Sequence, residues 1–405
     1  MQANILLFHF TVICMDPSEE SRNSLNQTSV YTPAEESWIF STISFGRIAG
    51  SLPTIYMMNR FGLRITFTTF GVISAVATFA TPLVSSVFLL VLGLGTASLF
   101  VAHGAVPLAW GSAAEQGIFV SLLSCAYELA PIMANSISGQ FCTSSLGWPG
   151  VYYLFGALTL LCFGTFAFIY SNSPGKSRFA TLNTAAQIYP MESLPAAGEE
   201  KTPKAPVPYS AMMKSYSVWG VWMSAVGDAV LHFDVSNTGI LAALPFLLAI
   251  GVKFFGGLFL DKATCIGEPA RVLGFTSVFQ AAMTVCFFLL TLMTENDRIL
   301  AQIIFTLAIC FSGLHCAGFF TASQIVAQQF NHVITAGIAL IDAIMALLLA
   351  GLVAFVAPHH SNEEWAIVFY YMIGSLVVTN VAFVVWTKVK PAEWTARGTV
   401  AEQPC

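Results

Sequence analysis

Residues 45–64 read Phe45-Gly46-Arg47-Ile48-Ala49-Gly50-Ser51-Leu52-Pro53-Thr54-Ile55-Tyr56-Met57-Met58-Asn59-Arg60-Phe61-Gly62-Leu63-Arg64. An apolar stretch holding one arginine, Arg47, runs into a short polar and basic turn, and a second apolar stretch follows from 65 to 84. Two helices crossing an apolar medium, with the turn in its polar boundary, satisfy this pattern. Gly62 supplies a backbone free of Cβ for the reversal. Arg60 and Arg64 are expected at lipid headgroups, against the carbonyls that end the first of the two helices.

The rest of the chain extends the pattern. Of 405 residues, 56% are hydrophobic and only 9% charged, and the mean hydropathy is +0.74. Soluble domains carry about a quarter charged residues, so lipid must be the solvent for much of this surface. The formal net charge is -5 and the basic residues form no stripe, which leaves no footprint for nucleic acid.

Apolar runs bounded by charge, Gly or Pro place twelve spans at 1–15, 37–58, 65–84, 86–108, 117–141, 149–170, 216–233, 238–259, 272–292, 299–321, 334–356 and 365–386. Runs this long are helices, because the strands of a membrane barrel are short and alternating. The fold class is therefore an all-α polytopic membrane protein. A bilayer core of about 30 Å takes roughly 20 helical residues, so spans one and seven are short. Met1–Met15 lacks the basic start and small-residue cleavage site of a signal peptide, and reads as a truncated first helix or the result of an incomplete gene model.

Lys and Arg orient the spans. With the N-terminus in the cytoplasm, Arg60, Arg64, Lys176, Arg178, Lys201, Lys204, Lys214, Lys262, Arg271, Lys388, Lys390 and Arg397 lie inside. Only Arg22 and Arg298 lie outside; Arg47 and Lys253 fall within spans and complete the sixteen. The bias fixes the expected topology. It also puts the sequon Asn26-Gln27-Thr28 on the outer side, where Asn26 can carry glycan. The longest inner loop divides the spans six and six, giving an N-terminal bundle at 1–170, a cytoplasmic linker at 171–215, a C-terminal bundle at 216–386 and a cytoplasmic tail at 387–405. Ser173-Pro174-Gly175 and Glu199-Glu200-Lys201 give the linker an open, polar character. A trace of internal repeat survives: the turn at Pro53–Arg60 that ends span two is matched by Gly256–Lys262 at the end of span eight. Paired bundles are a transporter architecture.

Nine cysteines form no CxxC. Cys125, Cys162, Cys286, Cys310 and Cys316 sit in apolar runs and read as small hydrophobes. Cys142 lies near a short outer loop with no evident partner. HExxH, Gly-x-Ser-x-Gly and Walker signatures are missing from the sequence, as is any metal-ligand spacing. The expectation is a non-enzyme without cofactor or metal.

Further pieces occur in order: His103-Gly104, Gly147-Trp148-Pro149-Gly150-Val151-Tyr152-Tyr153, Ser171-Asn172-Ser173-Pro174, Val207-Pro208-Tyr209, Ser217-Val218-Trp219, Asn237-Thr238-Gly239 and Leu244-Pro245-Phe246. With Asn59-Arg60-Phe61-Gly62-Leu63-Arg64, which resembles the turn after span two of the major facilitator superfamily, the set resembles that superfamily's anion/cation symporter family. Sialin, the vesicular glutamate transporters and the type I sodium-phosphate transporters belong to that family. The resemblance covers nearly the whole chain and implies two six-helix bundles, with span two beside span eleven and span five beside span eight. The chain also departs from the family. Leu7 stands where organic-anion carriers have an arginine, residues 88–96 hold none of their span-four charges, and Phe40 falls near a span-two histidine of some members. Asn59 replaces the usual Asp or Ser, and span seven is short between Asp228 and Asn237.

The charges kept inside spans are Arg47, Glu128, Asp228, Lys253 and Asp342. Each costs at least about 2.5–3.5 kcal/mol at the bilayer centre, so each needs a cavity or a partner. At about 1.5 Å per residue, Arg47 lies roughly 16 Å and Asp342 roughly 12 Å from the inner helix ends, a match that predicts an ion pair. Glu128 and Lys253, roughly 16 and 9 Å deep by the same rule, can meet if the lysine climbs. Arg47 is the expected positive charge of the path, Glu128 the proton-sensitive carboxylate, and Asp228 and His103 further candidates. The expected function is secondary active transport of a small organic or inorganic anion by alternating access, coupled to H+ or Na+. The alternative is a non-transporting or decayed transporter relative acting as a membrane scaffold. Its membrane is the plasma membrane or an endolysosomal or vesicular one.

Overall fold

The computed structural model of the chain describes residues 1–15, 33–83, 85–111, 115–172, 207–229, 239–263, 265–293, 297–356 and 362–396. The sequon at Asn26, linker residues 173–206 and tail residues 397–405 lie outside the described residues. The described residues are helical, without strands. In order they form α1 (Gln2–Thr11), α2 (Pro33–Ala80), α3 (Ser85–Thr96), α4 (Ser98–Trp110), α5 (Gln116–Cys142), α6 (Gly147–Ile169), α7 (Tyr209–Met213), α8 (Tyr216–Ala229), α9 (Gly239–Lys262), α10 (Glu268–Thr291), α11 (Arg298–Ala327), α12 (Asn331–Val356), α13 (Asn362–Trp386) and α14 (Glu393–Ala396).

Seven described stretches are long and apolar enough to cross a membrane, and two of them, Ser41–Ala80 and Ile299–Val353, are long enough for two passes each. The chain is a multi-pass membrane protein. The decisive reversal falls inside α2, where Gly62 takes φ 78° and ψ 177°. An L side chain rarely adopts that conformation, and a Cβ there would also press on the amide of Asn172. The span expected at 86–108 breaks at Ala97 into α3 and α4. In span one α1 has ten residues, and in span seven α8 has fourteen, with residues 230–233 of that span outside the described residues.

In the N-terminal bundle α2 and α3 approach so closely that a Cβ on Gly46 would strike the backbone of Leu90, and one on Gly93 the backbone of Ile43. Short as it is, α1 is anchored by polar contacts: Asn4 donates to Thr159 at 3.0 Å, and the hydroxyls of Thr11 and Tyr152 lie 2.7 Å apart. In the C-terminal bundle Ser277 donates to Asn380 (2.7 Å) and Gln280 to Thr379 (2.8 Å), tying α10 to α13. Such bonds satisfy polar groups that lipid cannot.

Two local expectations are corrected. Cys142 has a partner: it is disulfide-bonded to Cys14, 128 residues away, with Cα atoms 5.8 Å apart. The turn after α1 delivers Cys14 to the end of α5, a meeting that no sequence spacing announces. Non-reducing peptide mapping should recover the two cysteine peptides linked. Cys142→Ser should cost about 2–4 kcal/mol, read as a lower midpoint in a detergent melt; free thiols at both positions would overturn the pairing. Second, Arg64 does not cap the end of span two. The Gly62 reversal carries it to α6, where Nε donates to the Ala167 carbonyl at 2.8 Å. It thus neutralises the C-terminal end of a different helix.

Candidate functional site

The bundles meet along two seams, α2 and α4 against α12, and α5 against α9. These are the adjacencies the family resemblance implied, and each seam holds a buried ion pair. Arg47 of α2 forms a hydrogen-bonded salt bridge from Nη2 to Oδ2 of Asp342 on α12, each side chain 13% exposed. The guanidinium carbon also stands 6.0 Å from the ring centre of Phe100, a cation–π contact. Asp342 does not exhaust Arg47, whose Nε is buried with no hydrogen-bond partner among the described residues.

On the other seam Lys253 of α9 reaches Glu128 of α5, with Nζ 2.8 Å from Oε1. The same Nζ donates to the Ser124 carbonyl at 3.2 Å. Lys253 is 1% exposed, so it does not reach for the membrane surface. Its long stem closes the depth difference read from sequence.

Asp228 joins neither pair. It lies inside the C-terminal bundle, 3.5 Å from Nδ1 of His315, and accepts from Ser312 at 3.2 Å. Nε2 of His315 lies 2.8 Å from the Ser224 hydroxyl. His103 of α4 is buried and stacked on Phe320 of α11, ring centres 4.1 Å apart, so it packs one bundle on the other. Its Nε2 is without a hydrogen-bond partner among the described residues.

One end of both seams is latched by polar contacts. Asn59 Oδ1 lies 2.6 Å from Nε2 of His332 in the first turn of α12, and Asn59 Nδ2 donates to Tyr209 at 3.4 Å. Asn331 donates to the Gly104 carbonyl (3.1 Å). Asp261, at the end of α9, accepts from the backbone N–H groups of Gly117 (2.7 Å) and Ile118 (2.8 Å) in the first turn of α5. A carboxylate on two orphan N–H groups at a helix N-terminus is a strong cap. Asp261 was missed as a site residue, although the repeat contained the signal. Asn59-Arg60 and Asp261-Lys262 end matching turns, and each reaches the first turn of a helix in the opposite bundle. Latched at one end and charged along its interior, this two-bundle fold is that of a membrane carrier.

The chain belongs to the Major Facilitator Superfamily, whose model matches residues 19–347. It is similar to sodium-dependent phosphate transport protein 1 of Mus musculus, 22% identical over 92% of this chain and 84% of the relative. Sialin of Homo sapiens is 21% identical over 93% of this chain and 80% of that protein. These are members of the anion-transporter family that the ordered motifs resemble. Among solved structures, the proton:xylose symporter XylE superposes with a TM-score of 0.60, covering 96% of this chain and 93% of that one at 16% identity, which supports the fold.

Proposed function

We propose that the chain is a secondary active transporter of a small organic or inorganic anion, working by alternating access and driven by an ion or proton gradient. The observation that carries this reading is Arg47. It is an arginine between the bundles whose Nε is buried and without a hydrogen-bond partner among the described residues. An arginine stays charged and forks to carboxylate or phosphate, so the unpartnered edge suits an anion. Asp342 compensates the charge between transport cycles, Glu128 is the carboxylate assigned to proton coupling, and Asp228 is a further coupling candidate. Asn59 and Asp261 latch the inner end, Gly62 makes the reversal there and Arg64 ties it to α6, and His103 packs beside the path.

The proposed topology keeps the linker 171–215 in the cytoplasm and puts a glycan on Asn26. The disulfide supports it: Cys14–Cys142 lies at the end away from the basic turns, the side where an oxidising compartment would form it. The two bundles at 1–170 and 216–386 are the proposed moving bodies.

The names of similar proteins make inorganic phosphate the first probe. Purified protein in liposomes should take up labelled phosphate or a competing organic anion when a sodium or pH gradient is imposed. Arg47→Lys keeps the charge and loses the fork, so uptake should fall at least about tenfold, the weight of one charge-assisted hydrogen bond, with little change in the melt. Folded Arg47→Lys transporting at the wild-type rate would remove Arg47 from the path. A wild-type protein that moves no anion under any gradient would favour the scaffold reading, with both pairs serving as clamps.

A further inference from the structure

We propose that a membrane phospholipid binds in the groove between α9 and α10, with its phosphate on Arg271 and one acyl chain along the groove. The proposal is independent of what the central path carries. Helices α9 and α10 are consecutive in the chain, with a turn at Cys265, yet barely touch. Between them is a cavity of about 530 Å³ walled by Val252, Phe255, Phe259, Val278 and Phe279, with Leu314 of α11 among its lining residues. It faces away from the charged seams. Lys253 turns inward at 1% exposure, while its helix neighbour Phe255 is 71% exposed.

Arg271 is the polar element at the mouth. Its Nη1 donates to the Ala263 carbonyl at 3.0 Å, which fixes the guanidinium over the turn. Its Nε is buried and has no hydrogen-bond partner among the described residues. Asp261 feels the charge of Arg271 but spends its oxygens on Gly117 and Ile118, and Glu268 is exposed on the first turn of α10. A phosphate at the headgroup level is the anion that a membrane offers to this fork. From Arg271 to Phe279 the groove runs eight residues along α10, roughly 12 Å. That is most of one leaflet of a hydrocarbon core of about 30 Å. The occupant the groove fits is thus amphiphilic, with an acidic head and an apolar chain.

The test uses delipidated full-length protein, native mass spectrometry and two probes with the same chains, dioleoyl phosphatidic acid and dioleoylglycerol. Phosphatidic acid should be retained as a one-to-one adduct and dioleoylglycerol should not. Arg271→Gln should weaken retention about tenfold, the worth of a charge-assisted hydrogen bond. Gly274→Leu should block the groove: a Cβ at Gly274 meets nothing within 4 Å, so the backbone need not move. Leucine is also the better helix former, so this variant should melt no lower than the parent. Equal retention of both probes would overturn the proposal, as would phosphatidic acid binding that survives both substitutions. A lipid-independent dimer seated on this face would overturn it as well.

Discussion

Glu128→Gln alone is expected to destabilise the folded protein by about 3–5 kcal/mol, because it leaves the Lys253 ammonium buried without its counter-charge. The geometry leaves little relief. Nζ is 2.8 Å from Glu128, and the other acceptor it reaches is the Ser124 carbonyl. With Lys253 at 1% exposure, water is a poor substitute. Lys253→Met alone should be costly for the mirrored reason, though less so, since the Glu128 side chain is 11% exposed and partly meets solvent. The double variant Glu128→Gln with Lys253→Met removes both charges and keeps the stems. It should recover most of the loss, because no uncompensated charge is left buried. The measurement is the midpoint of unfolding in detergent for the four proteins. Additive losses, with no recovery in the double variant, would show that the pair does not couple the seam. The same set divides structure from transport. If the double variant melts like the parent but its uptake no longer responds to pH, Glu128 carries the proton; if uptake and its pH response are unchanged, the pair is a clamp.

The sequence disclosed much of this site because charge is so expensive in lipid. Arg47 and Asp342 could be paired from depth once the family resemblance set span two beside span eleven, since a membrane span turns residue number into position and an unpaired charge at that position has no stable environment. Glu128 and Lys253 were legible on the same ground, although their depths disagreed. What stayed hidden depends on which helices are neighbours. Cys14 and Cys142 share no spacing, and only the packed ends of α1 and α5 bring them together. Asp261 reads in sequence as one more solvated charge in a basic turn; its worth comes from the N-terminus of α5, which belongs to the other bundle. His315 becomes a partner of Asp228 only once α8 and α11 pack. For Arg64, sequence proximity pointed to the wrong helix end, because the Gly62 reversal swings the side chain over to Ala167.

Reversing the charges at Arg47 and Asp342 should give the sharpest result on the other seam. Arg47→Asp sets two carboxylates against each other at a point where each native side chain is 13% exposed. Asp342→Arg sets two guanidinium groups there. Each single variant should lose at least about 3–5 kcal/mol, the weight of a broken buried pair, plus the repulsion of like charges. The Arg47→Asp, Asp342→Arg double variant rebuilds an ion pair across the same two helices and should regain part of the stability. Recovery will be incomplete, because the guanidinium moves from α2 to α12 and leaves the face of Phe100, 6.0 Å away in the native protein. Melts and surface delivery of the four proteins measure this; a double variant as damaged as either single one would disprove the coupling. Transport should not return with stability. The anion site as proposed depends on the unpartnered Nε edge of an arginine on α2, and the swap moves the guanidinium to the opposite bundle. A double variant that folds, reaches the membrane and transports normally would mean that positive charge at the seam, from either helix, is all the path requires.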